Sequence, residues 1–247
     1  MNLKEFFEKN SKAAMGFSGG VDSAYLLYEA VKNKADIRPY FVKTAFQPEF
    51  ELEDAKRLAA QLNIELTVIE YDILKEESVA KNLSDRCYHC KHILFELIKE
   101  RAYKDGYTLL LDGTNVSDEV CERPGFKALK ELNVRSPLRE CGLTKDEIRR
   151  LSKEAGLFSW DKPAYACLAT RISPKERITE ELLYKIECAE NVLFKMGFTD
   201  FRIRIFHEAA KIQLKEEQFT LAFNVRNEIL NGLKPYFEDV LLDLRER

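Results

Sequence analysis

The chain has 247 residues, enough for one large domain or two small ones, and 45% of them are hydrophobic. Its 39 Lys and Arg residues nearly balance 42 Asp and Glu residues, so the net charge of −3 predicts no nucleic-acid partner. No apolar run reaches membrane-spanning length and the N-terminus lacks a signal-peptide profile, so we expect a cytoplasmic protein with no membrane partner. Six cysteines in that compartment favour metal binding, catalysis or burial over disulfides.

The first part of the chain alternates apolar runs with amphipathic segments. An opening helix through Ala13 precedes a strand at 14–17, and Pro48 opens a further helix. Strands alternating with helices predict an α/β fold, an open parallel sheet with helices on both faces. The other predicted strands are 37–44, 64–71 and 107–111, and the other helices are 22–33, 85–104 and 144–155, the last beginning with a capping box of Thr144 and Glu147. Arg123-Pro124-Gly125 breaks the chain before a further predicted helix that ends at Leu132.

The composition changes after Lys162-Pro163. The remaining pattern predicts a small α+β domain, so we divide the chain into domains at 1–170 and 171–247. Its predicted helices are 179–196 and 219–233, and its predicted strands are 201–206, 210–214 and 240–244.

A loop between the first strand and the next helix has the most specific pattern. It consists of Ser18, Gly19, Gly20, Val21, Asp22 and Ser23. The small residues leave backbone N–H groups open, and Asp22 or Ser23 can cap the helix whose positive end faces the loop. This arrangement predicts an anion site. The two commonest phosphate-loop patterns, Gly-x-x-x-x-Gly-Lys-Ser/Thr and Gly-x-Gly-x-x-Gly, are absent from the sequence.

Acidic residues follow the predicted strand ends. Asp112-Gly113-Thr114-Asn115 comes directly after the strand at 107–111, so it belongs to the same crevice as the loop. Asp22, Asp112 and Asp118 are therefore candidate Mg²⁺ ligands beside a polyphosphate.

Cys87 and Cys90 form a Cys-x-x-Cys pair at the start of a predicted helix. Four interpretations stay open: a redox pair, half of a zinc site, two ligands of an iron–sulfur cluster, or incidental cysteines. Cys167, in a loop near Arg171, is the candidate third ligand. The weaker candidates are Cys121, His89 and His92, and we predict structural roles for Cys141 and Cys188.

Arg202 and Arg204 alternate with isoleucines, so both guanidinium groups lie on one face of a strand. Such a pair suits a phosphate or carboxylates, and an ordinary solvated strand face is the alternative interpretation.

Taken together, these motifs resemble the LarE family, ATP-dependent sulfur transferases of nickel-pincer nucleotide synthesis within the PP-loop ATP-pyrophosphatase superfamily. The resemblance extends along essentially the whole chain. Its residues are Ser18–Ser23, Arg86–Lys91, Asp112–Asn115 with Asp118, Arg123–Gly125, Cys167–Arg171 and Arg202–Arg204.

The resemblance implies a reaction and roles for individual residues. The loop would hold the pyrophosphate of ATP while a carboxylate of pyridinium-3,5-biscarboxylic acid mononucleotide is adenylated, and sulfur would then displace AMP. Arg202 and Arg204 match positions that contact the phosphate of this small nucleotide substrate. Glu190 matches an acidic residue near the reacting centre, although its helical position otherwise predicts an exposed side chain.

The resemblance leaves the sulfur source divided. Some members give up the sulfur of a single cysteine, here Cys167, and others also have a Cys-x-x-Cys pair. Cys87, Cys90 and Cys167 together favour a 4Fe-4S cluster with three thiolate ligands and an open iron for sulfide from a donor. The family also implies a homo-oligomer.

Three other functions remain as alternatives. A tRNA-thiolating enzyme would share the loop and the cysteines, but the chain has no obvious RNA-binding stretch. A ligase such as NAD synthetase would leave the cysteines without a role. A zinc-binding module without enzymatic activity is the third.

Overall fold

The structure is a computed structural model that describes residues 1–118 and 124–247, so Cys121 and Arg123 lie outside the described residues. The described chain forms two compact units. The first unit comprises Met1–Asp72 and Asp85–Lys162, and the second comprises Ile73–Ser84 and Pro163–Arg247. The domain limits expected from sequence remain a prediction, because compactness does not test which segments fold independently.

The helices and strands are numbered in chain order. The α-helices are α1 (Leu3–Lys9), α2 (Val21–Lys32), α3 (Glu49–Gln61), α4 (Glu77–Ala80), α5 (Arg86–Lys104), α6 (Pro124–Glu131), α7 (Pro137–Glu140), α8 (Lys145–Glu154), α9 (Glu180–Lys195), α10 (Phe219–Asn224) and α11 (Arg226–Leu233). The β-strands are β1 (Lys12–Gly16), β2 (Asp36–Lys43), β3 (Thr67–Glu70), β4 (Leu110–Leu111), β5 (Arg202–Phe206), β6 (Ala209–Gln213) and β7 (Val240–Leu242). Short 3₁₀ helices cover Ile73–Lys75, Leu168–Arg171 and Glu216–Gln218.

The first unit is built on a parallel sheet in the order β3-β2-β1-β4. Successive residues of β1 face opposite sides: Ala13 and Met15 belong to one apolar cluster, and Ala14 belongs to the other. The first cluster includes residues of α1, α2 and α8, and the second includes residues of α5 and α6. Helices therefore cover both faces, and the predicted α/β fold with an open parallel sheet is confirmed.

The second unit contains a mixed sheet in the order β5-β6-β7. β5 and β6 are antiparallel and pair Arg202 with Gln213 and Arg204 with Lys211, whereas β7 lies parallel to β6. The α9 helix buries Leu183, Ile186 and Leu193. This small α+β arrangement agrees with the sequence-based prediction.

Several predicted elements differ from the structure, among them the strand predicted at 107–111, which is reduced to Leu110–Leu111. Ala13 lies in β1, because α1 ends at Lys9, and Asn10 donates its side-chain amide to the Phe6 carbonyl at 2.8 Å. The single helix predicted at 219–233 is two helices, because Val225 leaves helical geometry with φ −105° and ψ 22°. Among the described helices, none combines the length and apolar composition needed to cross a membrane.

Candidate functional site

The loop after β1 turns sharply into α2. Gly19 has a φ of +70°, a conformation that disfavours residues with a Cβ. A Cβ added to Gly19 would also lie only 3.0 Å from the backbone nitrogen of Ala55 in α3. Glycine is therefore required here by both the backbone conformation and the neighbouring helix.

The first turn of α2 presents its backbone N–H groups to the loop. Gly20 is the N-cap and has no side chain that could cap the turn, although its own N–H donates to the Ser18 hydroxyl at 3.4 Å. Asp22 and Ser23 lie inside the helix, so the predicted capping by Asp22 or Ser23 is wrong. The Ser23 hydroxyl instead donates to the Gly20 carbonyl at 3.1 Å and lies 3.2 Å from the Ser18 hydroxyl. An uncapped helix N-terminus with its dipole directed at a glycine loop suits an anion.

The end of β4 lies directly beside this helix N-terminus. A Cβ on Gly113 would lie 3.1 Å from the backbone nitrogen of Ser23. The turn that follows β4 and the loop that follows β1 are therefore adjacent, as the sequence predicted. Asp112 is buried and accepts from the Ser136 hydroxyl at 2.6 Å and from the Thr114 N–H at 3.3 Å. These hydrogen bonds give Asp112 a structural role in shaping the turn.

Asp22 is an acidic residue with spare coordinating capacity beside the loop. Its Oδ2 atom lies 2.5 Å from the Lys145 ammonium, whereas its buried Oδ1 atom has no hydrogen-bond partner among the described residues. Burial raises the pKa of Asp22, the Lys145 contact opposes that rise, and the charge of Asp118 adds to it. A buried carboxylate oxygen without a partner is a suitable ligand for Mg²⁺.

Cys87 and Cys90 lie in the first two turns of α5, three residues apart and thus on one side of the helix. Cys87 is exposed, and its sulfur lies 3.5 Å from a guanidinium nitrogen of Arg86. Cys90 is half-buried.

Cys167 belongs to the second unit, where it is half-buried immediately before the 3₁₀ helix Leu168–Arg171. Across residues 1–118 and 124–247, no group of three or more His, Cys, Asp or Glu side chains has the geometry of a metal site. The weaker candidates are accounted for locally: His89 lies 3.2 Å from Asp85, and His92 lies 3.2 Å from Glu96.

Arg202 and Arg204 lie on the same face of β5, as their alternation predicted. Arg202 donates to the carbonyl of Ala164 at 2.6 Å, and Arg204 donates to the Gln213 side chain at 2.6 Å and to the Thr170 carbonyl. Burial and the nearby charge of Arg171 lower the pKa of Arg202 to about 10 and also lower the pKa of Arg204. Crowded, partly desolvated guanidinium groups are stabilised by a bound anion.

Glu190 is buried in α9, with 1% exposure, so the exposed surface position suggested by its helical register is wrong. Its carboxylate accepts from Arg171, from the Tyr165 hydroxyl and from the Ile203 N–H. Sequence reasoning missed Tyr165 and the Asp22 partner Lys145. The position of Tyr165 two residues before Cys167 was the only signal that could have pointed to it.

The loop, the parallel sheet and the uncapped helix define a PP-loop protein, a class that binds ATP through its phosphates. The profile of the family described as "Queuosine biosynthesis protein QueC" matches residues 12–88. The pyridinium-3,5-bisthiocarboxylic acid mononucleotide synthase of Lactiplantibacillus plantarum is 30% identical over 94% of this chain and 86% of that protein. The chain thus belongs to the LarE family of PP-loop enzymes, and it is an ATP-dependent sulfurtransferase.

Other relatives extend the comparison. An uncharacterized protein of Synechocystis sp. is 36% identical over 88% of this chain and 81% of its own length. The tRNA-specific 2-thiouridylase MnmA of Thermotoga petrophila is 25% identical over 59% of this chain and 52% of its own length. The similarity to the thiouridylase is thus lower and covers less of both chains.

Proposed function

We propose that this enzyme adenylates a carboxylate of pyridinium-3,5-biscarboxylic acid mononucleotide and converts it to a thiocarboxylate for nickel-pincer nucleotide synthesis. The observation that supports this most directly is the relative whose name is pyridinium-3,5-bisthiocarboxylic acid mononucleotide synthase, because it aligns along 94% of the chain. The anion loop and the arginine pair provide the two phosphate-binding features that such a reaction requires.

In the adenylation step, the α2 amides bind the β and γ phosphates of ATP. A substrate carboxylate oxygen attacks the α phosphorus, the bond to the bridging oxygen breaks, and pyrophosphate leaves with the electron pair. Asp22 is the proposed Mg²⁺ ligand, since its Oδ1 atom has no partner among the described residues. The ion would neutralise the phosphate charge.

In the sulfur-transfer step, a sulfur nucleophile attacks the activated carbonyl carbon and AMP leaves with the electron pair of its bond to that carbon. Arg202 and Arg204 bind the phosphate of the substrate, and their lowered pKa values support this role because an anion relieves the crowding of positive charge. The catalytic assignment of Glu190 and of Cys167 remains a prediction.

Cys87, Cys90 and Cys167 are the residues that would hold a 4Fe-4S cluster. The first two fit as ligands because they share one side of α5 and Arg86 contacts the Cys87 sulfur. When bound, such a cluster supplies an iron site for a sulfide, so that no cysteine loses its own sulfur. The alternative is sacrificial transfer of the Cys167 sulfur without a cluster.

Anaerobic preparation followed by iron and sulfide analysis tests the sulfur source. We expect iron in the wild-type protein, loss of iron in Cys87→Ala, and unchanged iron in the control Cys188→Ala, whose cysteine lies in α9. We also expect more than one thiocarboxylate per chain when sulfide is supplied. Equal transfer by wild type and Cys87→Ala, both without iron, would show that the cluster proposal is wrong.

Thiolation of tRNA is the second candidate function, and it is favoured by the similarity to the tRNA-specific 2-thiouridylase. The net charge of −3 counts against it, because RNA binding depends strongly on basic surface. ATP–pyrophosphate exchange separates the two. We expect exchange to depend on the pyridinium nucleotide and to be unaffected by tRNA, and the reverse result would select tRNA thiolation. Homo-oligomerisation and a sulfide donor remain predictions.

A further inference from the structure

The Glu190 carboxylate accepts hydrogen bonds from several segments of the second unit. Its Oε1 atom accepts from Arg171 Nε at 2.9 Å and from the Ile203 N–H at 3.0 Å. Its Oε2 atom accepts from Arg171 Nη2 at 3.2 Å and from the Tyr165 hydroxyl. A carboxylate offers about four lone-pair sites, so these protein donors occupy the capacity of the buried group. A carboxylate in this condition is poorly suited to exchange a proton with a substrate.

Arg171 links the Glu190 carboxylate to the backbone of Cys167 through hydrogen bonds. Its Nη1 atom donates to the Ala166 carbonyl at 2.7 Å, to the Thr170 hydroxyl at 2.9 Å and to the Cys167 carbonyl at 3.3 Å. Arg171 is 1% exposed, so this planar group is held on all sides. Lysine lacks the fork of donors needed to bind the carboxylate and these carbonyls together.

The same carboxylate is also bonded to β5. Ile203, whose N–H binds Glu190, lies between the two arginines proposed to hold the substrate phosphate. The Tyr165 ring packs against Arg171 and Arg202, with guanidinium carbons 4.4 and 5.0 Å from the ring centroid. One buried group therefore connects the segment that contains Cys167 with the strand that contains Arg202 and Arg204.

From these contacts we infer that Glu190 and Arg171 are positioning residues that hold the Cys167 backbone at a defined distance from the substrate-phosphate arginines. The inference rests on the proposed function for the roles of Cys167 and the arginines. The physical reason is that a nucleotide bound by its phosphate has its carboxylate at a fixed distance from the arginines. If the segment that contains Cys167 is mobile, the sulfur lies within reach of that carboxylate for a smaller fraction of the time. Glu190 thus acts through Arg171 and Ile203, without a proton-transfer role.

The test measures the reactivity of Cys167 in metal-free protein without substrate. Iodoacetamide labelling is followed by peptide mass spectrometry, with Cys188 in the same sample as an internal reference. We expect roughly tenfold faster labelling of Cys167 in Glu190→Gln and in Arg171→Lys, because the segment opens more often. The double variant should be no faster than either single variant, since both act through one contact.

A matched control is available in the same unit. Arg177 and Glu77 form a two-pronged pair at 2.6 and 3.0 Å, and both side chains are more than half exposed. Glu77→Gln should leave Cys167 labelling within about twofold of wild type, because exposed pairs contribute little. If Glu190→Gln fails to fold, Tyr165→Phe removes one donor to Glu190 and keeps the ring.

Kinetics distinguish positioning from proton transfer. Positioning predicts similar losses of kcat in Glu190→Gln and Arg171→Lys, with faster Cys167 labelling in both. A loss confined to Glu190→Gln, or labelling within about twofold of wild type in a folded Glu190→Gln protein, overturns the inference. The wild-type protein could also fail to transfer sulfur to the nucleotide while the variants still show faster Cys167 labelling. That result would support the positioning of Cys167 and would reject the proposed function.

Discussion

Two glycines, one in the proposed ATP loop and one in the turn after β4, are required by the atoms that lie next to them. A Cβ added to Gly19 would lie 3.0 Å from the backbone nitrogen of Ala55, and one added to Gly113 would lie 3.1 Å from the backbone nitrogen of Ser23. Backbone atoms cannot move aside as a flexible side chain can, so any larger residue must displace α3 or the start of α2. At this scale, the shape of the loop and of the adjacent turn depends on the absence of two methyl groups.

Gly19→Ala should be destabilising and should abolish ATP–pyrophosphate exchange. The positive φ costs about 1–2 kcal/mol for a residue with a Cβ, and the clash with Ala55 adds roughly 1–3 kcal/mol. Gly142→Ala is the control: Gly142 has a similar φ of +77°, but an added Cβ would meet no described atom within 4 Å. Denaturant unfolding should show a larger loss for Gly19→Ala than for Gly142→Ala. Equal losses would mean that the contact with Ala55 is unimportant.

Asp22→Asn should stabilise the protein and reduce ATP–pyrophosphate exchange by about 10²-fold or more, as expected when a metal ligand or charge-stabilising group is lost. Burial raises the pKa of Asp22 above its ordinary value of 3.8, so the folded state favours the protonated acid. Wild-type stability should therefore fall as the pH rises from 3.8 through the raised folded pKa, and the deficit should persist at neutral pH.

The gain from Asp22→Asn should accordingly be largest at neutral pH and should disappear in acid, where wild-type Asp22 is protonated. Thermal unfolding from acid to neutral pH measures this dependence. Asp146→Asn is the control, because Asp146 is exposed in the first turn of α8. Wild-type rates of exchange in Asp22→Asn would contradict the proposed role.

At the scale of secondary structure, the beginnings of α2 and α8 cooperate in one unit. α2 begins without a side-chain cap, which leaves its amides for phosphate. α8 begins with a complete capping box, in which the Thr144 N–H donates to Glu147 at 2.9 Å and the Glu147 N–H donates to Thr144 at 3.4 Å. The capping box fixes the first turn of α8, where Lys145 contacts Asp22. The capping box thus stabilises the first turn of α8, and this turn holds Lys145 against Asp22 at the uncapped start of α2.

Thr144→Ala should cost about 1 kcal/mol of stability, the usual value of an N-cap, and should also raise the KM for ATP because Lys145 loses its fixed position. Thr179→Ala removes the N-cap of α9 and serves as the control. Denaturant unfolding should show similar losses for the two variants, with a changed KM only in Thr144→Ala. An unchanged KM would show that Lys145 does not depend on this cap.

At the scale of the whole molecule, the proposed chemistry is shared between the two units. The ATP loop, Asp22 and the Cys87–Cys90 pair belong to the first unit, whereas Cys167, Glu190 and the arginine pair belong to the second. Each unit has its own sheet. Binding of each ligand should therefore be detectable separately.

Hydrogen exchange with mass spectrometry measures this separation. A non-hydrolysable ATP analogue should protect amides in 18–24 and 112–118, and the pyridinium nucleotide alone should protect amides in 164–171 and 202–206. The physical reason is that each phosphate orders the backbone that it contacts. Apo protein and the adenine nucleotide without its β and γ phosphates are the controls. Protection by the ATP analogue confined to the second unit would contradict the assignment of its loop.

Local sequence patterns predicted some features of the molecule correctly and others wrongly. Alternation along β5 was readable because strand periodicity depends only on local geometry. The capping of α2 was misjudged because Asp22 is directed to Lys145, which is 123 positions away in the chain. Glu190 was misjudged for the same reason, since its partners Arg171 and Ile203 are distant in sequence.

The sequence by itself determined the parallel α/β fold and the family, and it predicted the anion loop, because these depend on short patterns in a set order. Only the tertiary structure decided that Asp22 keeps an oxygen without a partner among the described residues, and that Glu190 is buried among donors. The physical reason is that burial and charge pairing are properties of groups brought together by folding. Local pattern specifies which elements form, and long-range packing determines which of their side chains remain available for chemistry.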